Sequence, residues 1–236
     1  MIIELVGPPG SGKTLAAGRV IELLRARGLD VVGYDELEDH RDRQGDRRLN
    51  RLGLAACWRS LAPLRSAWPH VVRQVLALIW LHRAFGRKRL RKARRPLTHW
   101  AMARELAAAF PGRVIVLDDG FVQKLWSLLI GPTSLRGAPT LRALLAAYYA
   151  DTGVRCVRLE LPDALAESRA FDRQTRGRFH HDSGQRIRAQ SGRWIPLHRD
   201  LVRLLPTATV LGSVAASAAP EVVALEVVRR LEAAIA

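Results

Sequence analysis

A chain of 236 residues is long enough for one domain of ordinary size, or for one domain carrying a large insertion. Its hydrophobic fraction of 48% can bury a sizeable core, and its formal charge of +16 calls for an anionic partner. The longest apolar stretches, 75–81 and 143–150, are too short to span a bilayer, and residues 1–6 lack the charged n-region of a secretory signal, so the cytoplasm is the expected location. Cys57 and Cys156 lie far apart, and Cys156 falls in a predicted strand, which favours reduced thiols over a disulfide. Only four of the 38 basic residues are lysines.

Met1–Val6 reads as a strand and Leu15–Arg27 as a helix. Between them stand Gly7, Pro8, Pro9, Gly10, Ser11, Gly12, Lys13 and Thr14, which fit G-x-x-x-x-G-K-[ST] at every fixed position. Glycines let the backbone turn tightly enough for successive N–H groups to converge on one phosphate. The helix that follows aims its positive dipole end at the same point, where Leu15 also lies. Lys13 is expected on the β- and γ-phosphates and the Thr14 hydroxyl on a magnesium ion, so ATP with Mg2+ is the expected cofactor pair.

Gly28 stops the first helix, and Leu29–Tyr34 reads as the second strand. Asp35, Glu36, Glu38 and Asp39 follow at its carboxyl end, where open α/β sheets place their ligands. Asp35 is therefore a candidate catalytic base, and a solvated acidic turn remains the other reading.

From 41 to 111 the pattern changes to a helical, basic insertion. Segments 49–61 and 69–85 have helical spacing, and Thr98–Phe110 reads as an Ala-rich helix capped by Thr98. Residues 83–95 carry eight positive charges before Pro96 is expected to end the run. Such a run is either a solvated face or a contact with nucleic acid or an acidic surface. Trp58, Trp68, Trp80 and Trp100 fit core positions better than a stacking platform.

Arg113–Leu117 is the third strand, and four apolar residues lead into Asp118-Asp119-Gly120. After a phosphate-binding loop, a carboxylate at this strand end serves the magnesium shell or takes a proton from an attacking hydroxyl. Phe121–Leu129 reads as a helix, Pro132–Pro139 as a loop and Thr140–Ala150 as a helix, and the fourth strand, Val154–Leu161, is closed by Pro162. Arg169, Arg173 and Arg176 then share one helical face, with Arg178 just past Gly177. Converging guanidinium groups neutralise charge on a transferred phosphoryl group, although arginines also simply solvate helices. Strand five is expected at Ala208–Leu211, followed by a Gly/Ser turn and a closing helix at Pro220–Ile235.

The loop of residues 7–14, the strand-end carboxylate, the R-x-x-x-R-x-x-R-G-R segment and the final strand–helix pair come in the order of the nucleoside monophosphate kinases. In layout, residues 1–34 and 112–236 resemble the thymidylate kinase-like members. The resemblance implies a three-layer α/β P-loop domain over 1–236, with a parallel five-stranded sheet ordered 2-3-1-4-5. It also implies an arginine-rich lid over 163–190, in which Arg169 to Arg178 close over the phosphoryl donor. Thymidylate kinases carry Asp-Arg where this chain has Asp118-Asp119, and their acceptor segment after strand two has no match among 35–51. The expected reaction is transfer of the γ-phosphoryl group of ATP to a small acceptor, a nucleotide or a sugar-type hydroxyl. A nucleic-acid-dependent ATPase or polynucleotide 5′-kinase is the alternative, and a slow ATP-hydrolysing binding module is a third class.

Overall fold

A computed structural model describes residues 1–33, 87–129, 137–176 and 194–235. Its centre is a sheet of five parallel strands: β1 (Ile2–Val6), β2 (Val31–Gly33), β3 (Val114–Leu117), β4 (Arg155–Glu160) and β5 (Val210–Ala215). Their order is β2-β3-β1-β4-β5, the 2-3-1-4-5 arrangement expected of a P-loop kinase fold. The order leaves β1 central, between β3 and β4, and buried along all five residues.

Side chains alternate across the strands and feed two cores. Ile3, Leu5, Val114, Val116, Val157 and Leu159 face α1 (Lys13–Ala26) and the closing helix α7 (Pro220–Ile235). Ile2, Val6, Ile115, Leu117 and Cys156 face the opposite layer, which is built from four helices. These are α2 (Arg87–Ala109), α3 (Phe121–Leu129), α4 (Ala138–Thr152) and α6 (194–202). The remaining helix, α5 (Asp163–Arg176), follows β4.

An aromatic stack locks α2, α3 and α4 together. Phe121 and Tyr148 lie parallel with ring centroids 4.0 Å apart, and Trp100 meets both edge-on at 5.7 and 5.6 Å. The Trp100 indole N–H donates to Asp151 at 2.7 Å. Trp100 is thus a core residue, as its spacing suggests; Trp58, Trp68 and Trp80 lie outside the described residues, as do the helices expected at 49–61 and 69–85.

Two boundaries differ most from the sequence reading, while β2 is shorter than the expected Leu29–Tyr34 and α4 starts at Ala138 rather than Thr140. Pro96 does not end the basic run and Thr98 does not start a new helix: α2 runs without a break from Arg87 to Ala109, with Pro96 inside it. A proline in a helix interior costs roughly 3 kcal/mol, since it removes an N–H and crowds the preceding turn. Pro96, His99 and Trp100 are all buried, and packing of that turn offsets the loss. At the other edge, β5 is not closed by a turn at Gly212-Ser213 but continues through them to Ala215. The register against β4 slips between Cys156 and Val157, an irregularity that absorbs the glycine.

Among the described residues, no helix is long and apolar enough to cross a membrane.

Candidate nucleotide-binding site

The loop between β1 and α1 leaves the carboxyl edge of the sheet beside β4. The Ser11 N–H donates to the Pro8 carbonyl at 3.1 Å, and α1 begins at Lys13 with the Ala16 N–H bonded to the Gly12 carbonyl at 2.9 Å. Gly10 shows why the loop needs glycine. Its φ is +82°, and a Cβ there would lie 2.9 Å from the Ala166 carbonyl oxygen and 3.0 Å from the Arg169 Cβ. Helix α5, which carries Arg169, Arg173 and Arg176, therefore packs directly on the loop. Gly10→Ala should strain the loop and push α5 away together, lowering nucleotide affinity at least tenfold in a calorimetric titration; unchanged affinity would show that this contact does not shape the loop.

The Lys13 ammonium donates to the carbonyls of Gly7 at 2.7 Å and Pro8 at 3.0 Å, so its charge sits over the mouth of the loop. The Thr14 hydroxyl donates to Asp118 Oδ2 at 2.7 Å. This bond joins the start of α1 to the end of β3 across 104 residues. Leu15, the next residue of α1, is 65% exposed.

The two adjacent aspartates have separate partners. Asp118 meets Thr14, whereas Asp119 pairs with Lys124 one turn into α3. Arg169 donates through Nη1 to the Ala216 carbonyl at 3.0 Å, which ties α5 to the segment after β5. Arg173 and Arg176 continue the same helix to its end. Asp35 and Arg178 lie outside the described residues, as do 34–86 and 177–193 as a whole.

The set of oxygen donors at the loop fits a magnesium ion. Among the described residues, no cluster of three or more His, Cys, Asp or Glu side chains could hold a metal. Magnesium needs no such cage: it takes one or two protein oxygens, keeps several waters and completes its shell with phosphate. A threonine hydroxyl and one carboxylate oxygen at hydrogen-bond distance match that demand.

Three buried ionisable groups, His198, His99 and Glu4, belong to no sequence motif. His198 on α6 is driven down to about 3 by burial, with a smaller push from the Lys13 charge, and so stays neutral beside the loop. His99 on α2 is likewise driven down to about 3 by burial, helped by Lys124. Glu4, in the middle of β1, is 1% exposed. Its Oε1 accepts the Val122 N–H at 3.0 Å and its Oε2 the Tyr149 hydroxyl at 3.0 Å. Burial is the dominant influence and raises its pKa to about 7, against the pull of Val122, Tyr149 and the Phe121 N–H; the Asp119 charge adds to the rise. Its sequence signal was plain enough, a lone carboxylate inside Ile2-Ile3-Glu4-Leu5-Val6.

No protein-family model matches the chain, and no curated protein matches it. Among solved structures, shikimate kinase from Acinetobacter baumannii in complex with shikimate aligns over 99% of this chain and 93% of its own length. The identity is 15% and the TM-score 0.41. The fold assignment accordingly rests on the strand order and on the loop itself.

Proposed function

We propose that the chain is an ATP-dependent phosphotransferase that moves the γ-phosphoryl group to a small acceptor bearing a hydroxyl or phosphate. The observation that carries this reading is the 2.7 Å bond between Thr14 and Asp118. It brings the hydroxyl of the phosphate-binding loop and the strand-end carboxylate to one point, which is where the metal-bound β- and γ-phosphates of ATP lie in P-loop enzymes.

Each residue then has a physical task. The N–H groups of 10–14 and the positive end of α1 bind the phosphate oxygens. Lys13 spans the β- and γ-phosphates. Thr14 and Asp118 would hold magnesium, which when bound neutralises charge on the bridging oxygens. Arg169, already against the loop at Gly10, would begin an arginine face, continued in sequence by Arg173, Arg176 and Arg178, that neutralises charge on the transferred group. With Asp118 serving the metal side and Asp119 engaged by Lys124, the carboxylate proposed to accept the acceptor's proton is Asp35, two residues past β2. Positioning and charge stabilisation supply most of the catalysis in this chemistry.

The aspartate pair provides the test. Asp118→Asn should cut acceptor-dependent ATP turnover by about 10²-fold or more with the nucleotide still bound. Asp119→Asn should retain turnover to within about tenfold, since it loses a half-exposed ion pair. If the two variants behave the other way round, the carboxylate roles proposed here are wrong.

A further inference from the structure

Helix α3 begins immediately after Asp118-Asp119, so whatever fixes its first turn also fixes the end of β3. The Gly120 carbonyl accepts the first helical bond, from the Lys124 N–H at 3.2 Å, which puts Gly120 in the capping position. The N–H groups of Phe121 and Val122 therefore have no partner within their own helix. A capping side chain would ordinarily take them, and glycine has none.

Glu4 does the capping from the neighbouring strand. Its carboxylate accepts the Val122 N–H at 3.0 Å and also bonds the Phe121 N–H. It occupies the space above Gly120 so closely that a Cβ on Gly120 would lie 2.1 Å from the Glu4 carboxyl carbon. The glycine is thus matched to the carboxylate rather than to a special backbone angle. On its other side the carboxylate is held by the Tyr149 hydroxyl of α4 at 3.0 Å. Glu4 also lies beside Leu117 in the β1–β3 register, one residue before Asp118.

We propose that Glu4 is a positioning residue for the metal-binding pair: by capping α3 and filling the space over Gly120, it sets where Asp118 meets Thr14. This inference rests on the phosphotransferase reading above. A displaced cap would let the 118–120 turn relax and would draw Asp118 off the Thr14 hydroxyl, while the 7–14 loop itself would be untouched. Residues that orient a metal's direct ligands in this way typically govern 10- to 100-fold in metal affinity.

The test compares ADP affinity in EDTA with ADP affinity in excess Mg2+, by calorimetry, for the wild-type chain and three variants. Glu4→Met fills nearly the same volume without accepting a hydrogen bond. Glu4→Gln keeps an acceptor for α3. Gly120→Ala leaves Glu4 in place but presses on its carboxylate. The expected result is that Glu4→Met and Gly120→Ala keep the metal-free affinity and lose at least about tenfold of the gain from Mg2+. Glu4→Gln should keep most of that gain. Should Glu4→Met fail to fold, Gly120→Ala against wild type still decides the question. Wild-type Mg2+ gain in a folded Glu4→Met or in Gly120→Ala would overturn the inference and leave the nucleotide reading standing. A wild-type chain that binds no ADP in either buffer would overturn both.

Discussion

Lys13→Ala should fold normally and lose at least about 10²-fold in ATP turnover. The Lys13 ammonium donates to two loop carbonyls, at 2.7 and 3.0 Å, and approaches Ser11 at 3.5 Å. The two cores on either face of the sheet contain no part of Lys13, so removing its charge takes nothing from them. The lost charge would otherwise act on phosphate oxygens, where a preorganised charge contributes up to several kcal/mol to the transition state. Thermal melting and ATP turnover measured on the same preparation check both halves. Unchanged turnover in a folded Lys13→Ala chain would remove the loop from the chemistry altogether.

Glu4→Gln should be more stable than the wild type at pH 8 and nearly equal to it at pH 4.5. The Glu4 carboxyl has a folded pKa of about 7 against 4.5 for the free group, because burial penalises its charge. A group raised in this way gives its full stabilisation below the unfolded value and loses it as pH rises through the folded one. The wild type should therefore lose about 3 kcal/mol relative to the amide variant between pH 4.5 and pH 8. The groups around Glu4 do not blur the comparison. Tyr148 and Tyr149 are pushed well above their ordinary value, and Cys156 is pushed up to about 12, so all three stay neutral throughout. His99 and His198 act in the opposite direction: held near 3, they contribute stability above pH 6.5 that is lost as pH falls toward 3. Both histidines are present in both proteins and cancel in the difference. Denaturant midpoints of the pair at four pH values measure it, and a difference that stays flat across the range would mean that Glu4 is not held in the neutral form near neutrality.

The parts of the fold legible in the sequence are those where local chemistry and tertiary placement agree. The 7–14 loop could be read because glycine, lysine and threonine at fixed spacing have one physical use, and α3 and α7 start and stop where the sequence reading placed them. α2 could not be bounded, because Pro96 is a local stop signal that tertiary burial overrides. α6 went unnoticed for a similar reason. Its residues 194–202 hold apolar side chains at helical spacing, but Pro196 reads as a breaker, although a proline in the first turn is tolerated.

The site divides along the same line. Lys13, Thr14 and Asp118 are named by motif, and the described residues bring the last two into contact. Glu4 and His198 belong to no motif. Both are buried against distant segments, Glu4 against a helix start 118 residues away, and only the folded chain displays that. Thymidylate kinase-like specificity has no support from Asp119, which pairs with Lys124 rather than standing where an arginine would face an acceptor. Of the basic run at 83–95, residues 83–86 lie outside the described residues and 87–95 form the first turns of α2.

The most direct measurement of the central claim follows the label of γ-³²P-ATP in the presence of Mg2+. The chain would be incubated separately with nucleoside 5′-monophosphates, with sugars, and with 5′-hydroxyl oligonucleotides. The account predicts that label moves onto one of the small acceptors, that this transfer disappears in Lys13→Ala, and that physiological salt leaves it intact. Label released only as inorganic phosphate, or carried onto the oligonucleotide alone, would contradict it.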